Sequence, residues 1–294
     1  MTWIIATFYK FVPLSDPAAL QSQLRAHCPA WGLRGTILLA PEGLNATVAG
    51  SRHAIDQLLG WLQHHPTIGE FSHQEAKAAT APFERMKVKL KREIVTLGRP
   101  EVNPNQGVGT YVEPQDWNQL VADPEVVVID SRNEFEVELG SFKGAINPHT
   151  RSFRELPDFV ETHLDSVQHK KVAMFCTGGI RCEKATAYLL EQGFEQVYHL
   201  KGGILNYLNT VPEADSLWQG ECFVFDERVA VDHHLHRGQY DLCLGCGHPV
   251  SPADRQSPDY EAGLSCPHCT GTLTSEKRAR LAERQRQQRQ EGRL

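Results

Sequence analysis

Cys176 and the loop that follows it carry the clearest chemical potential in the sequence. The apolar run at 172–175 is typical of a strand buried in a parallel sheet, so Cys176 stands at a strand's carboxyl end, where open α/β sheets bind ligands. The loop residues are Thr177, Gly178, Gly179, Ile180 and Arg181. Glycines let backbone N–H groups turn toward the sulfur, and Arg181 adds positive charge at a helix N-terminus. We predict a nucleophilic thiolate of lowered pKa at Cys176, in a loop that stabilises anions.

Three further residues belong with this loop. Cys182 falls on the first turn of the predicted helix, and we interpret it either as a second, resolving thiol or as a small buried residue. Asp130 ends another apolar run, at 126–129. Asp130 and Arg132 are expected to support the loop by a charge-assisted hydrogen bond rather than to react.

A second group of cysteines has the spacing of a metal site. Two Cys-x₂-Cys pairs stand 19 residues apart, and their members are Cys243, Cys246, Cys266 and Cys269. Four thiolates at this spacing are typical of structural zinc, which would stabilise a segment too short to fold alone. A knuckle that packs without metal is the alternative.

The elements before residue 98 indicate a ferredoxin-like domain. Their order is β-α-β-β-α-β, with strands at 3–12, 33–40, 44–49 and 86–92 and helices opened by Asp16-Pro17 and Ser51. This order is that of a ferredoxin-like sandwich. The last strand, Met-Lys-Val-Lys-Leu-Lys-Arg, alternates strictly and predicts an apolar face and a lysine face.

The rest of the chain divides into a parallel-sheet α/β domain, a cysteine-rich segment and a basic tail. Buried strands at 126–130, 172–175 and 197–200 alternate with helices, after a stretch rich in Gly, Pro and Asn. The predicted divisions are 1–97 for the first domain, 98–113 for a linker, 114–218 for the α/β domain, 219–274 for the cysteine-rich segment and 275–294 for the tail. The tail is expected to be a marginal helix or disordered.

Composition restricts the class of protein. Of 294 residues 40% are apolar and 22% charged, which excludes wholesale disorder, and no apolar run approaches a membrane span. The first residues do not resemble a signal peptide, so a cytoplasmic location is expected, without membrane association. There the eight cysteines would serve thiol chemistry or metal binding rather than disulfides.

The loop and its flanks resemble a rhodanese domain. The matching runs are 172–181, Val-Ala-Met-Phe-Cys-Thr-Gly-Gly-Ile-Arg, together with 128–136, 144–148 and Lys-Gly-Gly-Ile at 201–204. Four residues separate Cys176 from Arg181, as in rhodaneses that carry a persulfide. The related phosphatases have one residue more, to fit a larger phosphate, so a phosphatase is disfavoured.

Over residues 1–272 the chain resembles the bacterial tRNA uridine hydroxylases. The matching blocks are 35–47, 93–98, 132–137, 153–157 and 176–184. The resemblance implies formation of 5-hydroxyuridine at the tRNA wobble position, with molecular oxygen as co-substrate and Cys176 as a persulfide-type active-site cysteine. The partner it implies is the anticodon loop of tRNA, and no obligate protein partner is evident.

No flavin or nicotinamide motif is evident, and if the activity implied by the resemblance holds, our hypothesis is covalent catalysis. His233, His234 and His236 form no clear iron-ligand set and are interpreted as exposed. We expect the Cys176 thiolate or persulfide to add to C6 of uracil, which makes C5 electron-rich enough to react with O₂. Arg181 and loop N–H groups would stabilise the enolate oxygen.

A basic cluster is the expected RNA surface. Its members are Arg85, Lys87, Lys89, Lys91 and Arg92. Phosphate contacts supply most nucleic-acid affinity, although lysines on an edge strand also protect against aggregation. Two rival functions stay open: a sulfurtransferase that carries sulfane sulfur on Cys176, and a non-catalytic RNA-binding adaptor.

Overall fold

A computed structural model describes residues 2–290 and shows a five-stranded sheet in the first domain. Its strands are β1 (Trp3–Phe11), β2 (Arg34–Ala40), β3 (Gly43–Gly50), β4 (His73–Ala78) and β5 (Met86–Leu90), and its helices are α1 (Pro17–Ala30) and α2 (Arg52–Gln63). The order β4-β1-β3-β2-β5 confirms the ferredoxin-like fold class. The fourth strand of that fold is β4, however, and β5 is an extra strand parallel to β2. β4 escaped prediction because His-Gln-Glu-Ala-Lys-Ala lacks β-branched residues.

The two faces of this sheet differ in chemistry. Alternate residues of β1, β2 and β3, such as Phe8, Ile37 and Val48, join α1 and α2 in one apolar core. The residues between them, such as Thr7, Thr36 and Thr47, point to the opposite face. That second face carries hydroxyl groups beside some apolar side chains; we call it the polar sheet face, and it lies toward the second domain.

The second domain contains a parallel four-stranded sheet of order β6-β10-β9-β7. Its elements are β6 (Thr110–Val112), α3 (Pro114–Ala122), β7 (Val126–Asp130), α4 (Glu134–Val137), β8 (Gly140–Phe142), α5 (Leu156–His163), β9 (Lys171–Phe175), α6 (Ile180–Glu191), β10 (Gln196–Leu200) and α7 (Gly203–Thr210). Part of the predicted linker belongs to this domain, because 110–112 form β6. Leu97 and Val102 are also buried in its core.

The remaining described chain is built of short strands and one helix. These are β11 (Trp218–Gly220), β12 (Cys222–Phe223), β13 (Ala230–Val231), β14 (Asp241–Leu242), β15 (Pro249–Val250) and α8 (Ser275–Gln290). Of the two alternatives predicted for the tail, 275–290 form a helix, since Arg, Gln, Glu and Ala are good helix formers and Arg278 pairs with Glu261. Residues 291–294 of the predicted tail lie outside the described chain. No helix within residues 2–290 has the length and apolarity to span a membrane.

Lys184 joins the two domains through a buried ion-pair group. Its ammonium lies 2.6 Å from a carboxylate oxygen of Glu42, in the β2–β3 turn, and 2.6 Å from one of Glu93, which follows β5. The Lys184 side chain is wholly buried. Glu42 and Glu93 also accept backbone N–H groups of Ile94 and Leu97. The group therefore fixes the polar sheet face against α6.

Replacing Lys184 should destabilise the protein strongly. Lys184→Ala leaves two carboxylates buried without their cation, which costs about 3–5 kcal/mol of the free energy of unfolding. Urea unfolding measures this change. Lys171→Ala is the matched control, because Lys171 also pairs with two carboxylates, Asp123 and Glu125, but at the surface. Equal losses in the two variants would show that burial of the Lys184 group contributes nothing.

Candidate active site

Cys176 lies at the carboxyl end of β9, and its loop wraps the sulfur. The N–H of Gly179 donates to Cys176 Sγ at 3.1 Å. Gly179 has φ +96°, a left-handed conformation that glycine adopts without strain and that turns this N–H inward. Gly203 must also be glycine, because a Cβ there would lie 2.4 Å from the Cys176 carbonyl oxygen. The two glycine signatures of the sequence thus shape one loop.

The surroundings of Cys176 favour its thiolate. Burial alone would raise the pKa of this thiol, but the Cys182 side chain, the charge of Arg181 and the N–H groups of Cys182 and Gly179 lower it to about 6. Burial and the adjacent Cys176 sulfur instead raise the pKa of Cys182 well above its usual value. At neutral pH the pair therefore holds a thiolate at Cys176 and a thiol at Cys182.

Arg181 places a positive charge near the sulfur and is itself held by an ion pair. Its guanidinium forms a bidentate pair with Glu136, at 2.7 and 2.6 Å. Glu136 is fully buried; burial would raise its carboxyl pKa, but Arg181 and Arg132 hold that pKa below its usual range. Arg181 also lines the cavity described below, and stabilisation of an enolate oxygen by Arg181 stays a prediction.

Asp130 and Arg132 occupy the interior beneath the loop. Both side chains are wholly buried, and Arg132 donates to the two Asp130 oxygens at 2.9 and 2.6 Å. Arg132 also donates to the backbone carbonyl oxygens of Glu136 and Gly140. Arg132 thus contacts the Glu136 segment, and Glu136 in turn pairs with Arg181; support of the loop by Asp130 and Arg132 stays a prediction.

A cavity of about 530 Å³ opens between the polar sheet face and the Cys176 loop. We call it the thiol cavity. Its lining includes Thr7, Tyr9, Thr36, Asn45 and Thr47 from the sheet and Cys176, Thr177, Gly178, Ile180 and Arg181 from the loop. The volume is that of a small-molecule site, and hydroxyl and amide groups face the sulfur across it. The sheet residues of this lining were not predicted from the sequence. Their alternation with apolar neighbours was an available signal, because it indicates a sheet face that does not pack against the helices.

Tyr9 links this sheet face to the helix behind the loop. Its hydroxyl donates to Glu183 Oε1 at 2.7 Å, and the Tyr111 hydroxyl donates to the same oxygen at 2.8 Å. Burial raises the pKa of Glu183, and the two tyrosines oppose that shift. Burial and Glu183 also raise the pKa of Tyr9, so its phenol stays protonated at the cavity wall.

A second cavity, of about 1030 Å³, adjoins the first, and we call it the outer cavity. The two share Thr36, Phe83 and Phe225 as lining residues. Phe225 is 62% exposed, which is unusual for so large an apolar ring. Arg85 and Lys87 line the outer cavity, so these two members of the basic cluster lie beside the site.

The other members of the basic cluster line neither cavity. Lys89, Lys91 and Arg92 are exposed, and Lys91 and Arg92 lie beyond the end of β5 rather than on it. Leu90, expected on the apolar face, is 44% exposed. RNA binding by this cluster stays a prediction.

The four cysteines of the C-terminal segment converge. Their sulfur atoms all lie within 4.8 Å of one another, and the pairs Cys243–Cys269, Cys246–Cys266 and Cys266–Cys269 are 3.8, 3.7 and 3.9 Å apart. A tetrahedron with Zn–S bonds of about 2.3 Å has edges of about 3.8 Å, so these thiols fit the ion. In the part of the chain that the structure describes, this is the one cluster of His, Cys, Asp and Glu ligands close enough to hold a metal.

Two known domain families match the chain. Residues 3–94 match the UPF0176 acylphosphatase-like domain, and residues 113–210 match the rhodanese-like domain. These matches agree with the two sheets and with the Cys176 loop.

Relatives extend the similarity to the whole chain. A tRNA uridine(34) hydroxylase of Picosynechococcus sp. is 54% identical over 289 residues, which cover 98% of this chain and 97% of that protein. Among solved structures, a rhodanese-like domain from Anabaena sp. has 19% identity and a TM-score of 0.32, covering 37% of this chain and 78% of that one. A rhodanese-related protein from Thermoplasma volcanium has 24% identity and a TM-score of 0.29, covering 35% of this chain and 95% of that one.

Proposed function

The chain belongs to the tRNA uridine(34) hydroxylase family, and on that premise we propose that it hydroxylates C5 of the wobble uridine of tRNA, with O₂ as co-substrate and Cys176 as the nucleophile. The observation that carries the proposal is the position of Cys176 in the thiol cavity, where a sulfur of pKa about 6 faces polar groups of the N-terminal sheet. A uridine can meet this sulfur only after it leaves the anticodon-loop stack, as bases do in other base-modifying enzymes.

The thiol cavity supplies what a flipped uracil requires. Thr7, Asn45 and Thr47 offer hydroxyl and amide groups for the polar edge of a base, while Phe83 and Ile180 offer apolar contacts for its faces. The outer cavity would then receive neighbouring nucleotides. Arg85 and Lys87 in its lining suit their phosphates, and the exposed ring of Phe225 suits stacking on a base.

Covalent addition explains how a thiolate promotes reaction with O₂. The Cys176 sulfur bonds to C6 of uracil, and the electron pair of the C5–C6 bond moves into an enolate with carbon nucleophilicity at C5. The positive field of Arg181 and the loop stabilises this anion. The enolate takes up O₂ and a proton to give a C5 hydroperoxide. Loss of the C5 proton then expels Cys176 from C6, and two thiols reduce the O–O bond, which releases water, leaves the 5-hydroxyl group and forms a disulfide.

Sulfur transfer is the rival function, because the match to the rhodanese-like domain covers the Cys176 loop. In that reaction Cys176 would carry sulfane sulfur to a thiol or cyanide. The loop geometry serves both reactions. The polar sheet face and the outer cavity favour the hydroxylase, since a small sulfur acceptor needs neither.

Nucleoside mass spectrometry of tRNA incubated with the protein and a thiol reductant tests the proposal. In air we expect uridine 34 to gain one oxygen; the gain disappears under nitrogen and in Cys176→Ser, which lacks the nucleophile but keeps tRNA affinity near wild type. Cys28→Ser is the control, because Cys28 is buried in the N-terminal core. A gain of sulfur would favour sulfur transfer to RNA. Unchanged tRNA with active thiosulfate turnover would leave a small-molecule sulfurtransferase.

We propose that the four-cysteine cluster binds structural zinc, because its sulfur separations match a tetrahedral site. Zinc would be held by Cys243, Cys246, Cys266 and Cys269 and would cross-link the segment between β14 and α8. It supplies no step of the reaction at Cys176.

Elemental analysis checks the metal assignment. We expect about one zinc per chain, since four thiolates complete the coordination of one ion. Cys266→Ser should lose the metal, whereas Cys28→Ser should retain it. Metal-free protein of unchanged stability, isolated without chelator, would refute the assignment.

A further inference from the structure

We propose that Cys182 is the resolving thiol of the hydroxylation, closing a disulfide with Cys176 in each turnover so that the two sulfurs supply the electrons that reduce the second atom of O₂. This inference rests on the proposed function and names the residue that takes part in the reduction of the peroxide oxygen. Cys182 would act through Cys176 and never contact the uridine.

The position of Cys182 suits this role. It lies on the first turn of α6, is fully buried and shares an apolar cluster with Cys176. Its side chain is close enough to the Cys176 sulfur to lower the pKa of that thiol. Cys182 is not among the residues that line the thiol cavity, so it approaches Cys176 from the protein interior while substrate approaches from the cavity.

The segment around Cys182 is held in place. The hydroxyl of Ser131 lies 3.5 Å from Cys182 Sγ and donates to the carbonyl oxygen of Phe175 at 2.9 Å. The N–H of Ser131 binds the same carbonyl at 3.0 Å. Ser131 thus holds the carboxyl ends of β7 and β9 together beside the Cys182 sulfur, within the cluster that also contains Cys176.

The two thiols also have complementary charge states. Cys176 is the thiolate and Cys182 the thiol, because the proximity of the sulfurs allows only one of them to ionise easily. A thiolate is the form that attacks a peroxide, and a neighbouring thiol is the form that can donate a proton to a leaving hydroxide. Cys28 and Cys222, by contrast, are buried thiols whose pKa is raised chiefly by burial.

The chemistry balances with these two sulfurs alone. After O₂ has added at C5, loss of the C5 proton expels Cys176 from C6 and leaves a 5-hydroperoxyuridine. The freed Cys176 thiolate attacks the distal peroxide oxygen; the O–O bond breaks, 5-hydroxyuridine leaves, and Cys176 becomes a sulfenic acid. Cys182 then attacks the sulfenic sulfur, its proton leaves with the hydroxide as water, and an S–S bond forms. Uridine, O₂ and two thiols give 5-hydroxyuridine, water and one disulfide, which a cellular thiol reduces.

A stoichiometric turnover experiment tests the inference. Reduced wild-type protein, freed of small thiols, is mixed with excess tRNA in air, then denatured, alkylated and mapped by peptide mass spectrometry. We expect about one 5-hydroxyuridine per chain and an equal amount of Cys176–Cys182 disulfide, since each disulfide formed represents one two-electron reduction. Without tRNA both cysteines should stay alkylatable, which separates turnover from air oxidation.

The variant Cys182→Ser should still form one product per chain but retain Cys176 as a sulfenic acid, trapped by dimedone. With dithiothreitol present, its steady-state rate should fall about tenfold, because an external thiol must reach the buried sulfur. Cys28→Ser should behave as wild type. The wild-type measurement needs no variant, so the inference can still be refuted if Cys182→Ser folds poorly.

The outcomes separate this inference from the proposed function. Wild-type protein that makes 5-hydroxyuridine while Cys182 stays free would overturn the role of Cys182 and leave the hydroxylase standing. Absence of 5-hydroxyuridine from wild type, even with reductant, would overturn both.

Discussion

The buried contact of Lys184 with Glu42 and Glu93 is the constraint on which the site depends. It fixes α6, the helix that carries Arg181 and Cys182, against the turn and the strand end of the N-terminal sheet. Without that alignment the Cys176 loop would face solvent, as a loop at the edge of an open sheet usually does. With it, the loop faces a polar wall and a cavity forms between two domains. The hydrogen bond from Tyr9 to Glu183 is a second contact across the same domain interface.

Beneath the cavity, a buried series of paired charged side chains leads from Asp130 to Arg181, which lies near the sulfur. Asp130 binds Arg132, Arg132 holds the backbone of the Glu136 segment, and Glu136 pairs with Arg181. Each charge in the interior has a partner, as burial requires. The Arg181 charge still reaches Cys176, and with the loop N–H groups it outweighs the effect of burial on that thiol. A thiolate is thus favoured at a sulfur that is almost wholly buried.

Sequence patterns predicted the loop well and the cavity poorly. Apolar runs, glycines and the Cys–Arg spacing are local signals, so Cys176, its strand end and the four converging cysteines could be located from sequence. The cavity is a long-range feature, because Tyr9 and Glu183 stand far apart in the chain and meet only after the domains dock. β4 was missed because its edge position tolerates polar residues, and the pairing of Arg181 with Glu136 was missed because it depends on tertiary packing.

The central claim, that a flipped wobble uridine is attacked by Cys176, can be tested by covalent trapping. A tRNA with 5-fluorouridine at the wobble position, mixed with the protein under nitrogen, has a more electrophilic C6 and lacks the oxygen that carries the reaction forward. The account predicts an enzyme–tRNA complex that survives denaturation and maps to Cys176. Its yield should fall as the pH drops through about 6, where the thiolate becomes protonated. A complex that forms equally in Cys176→Ser, or none at any pH despite tRNA binding, would contradict it.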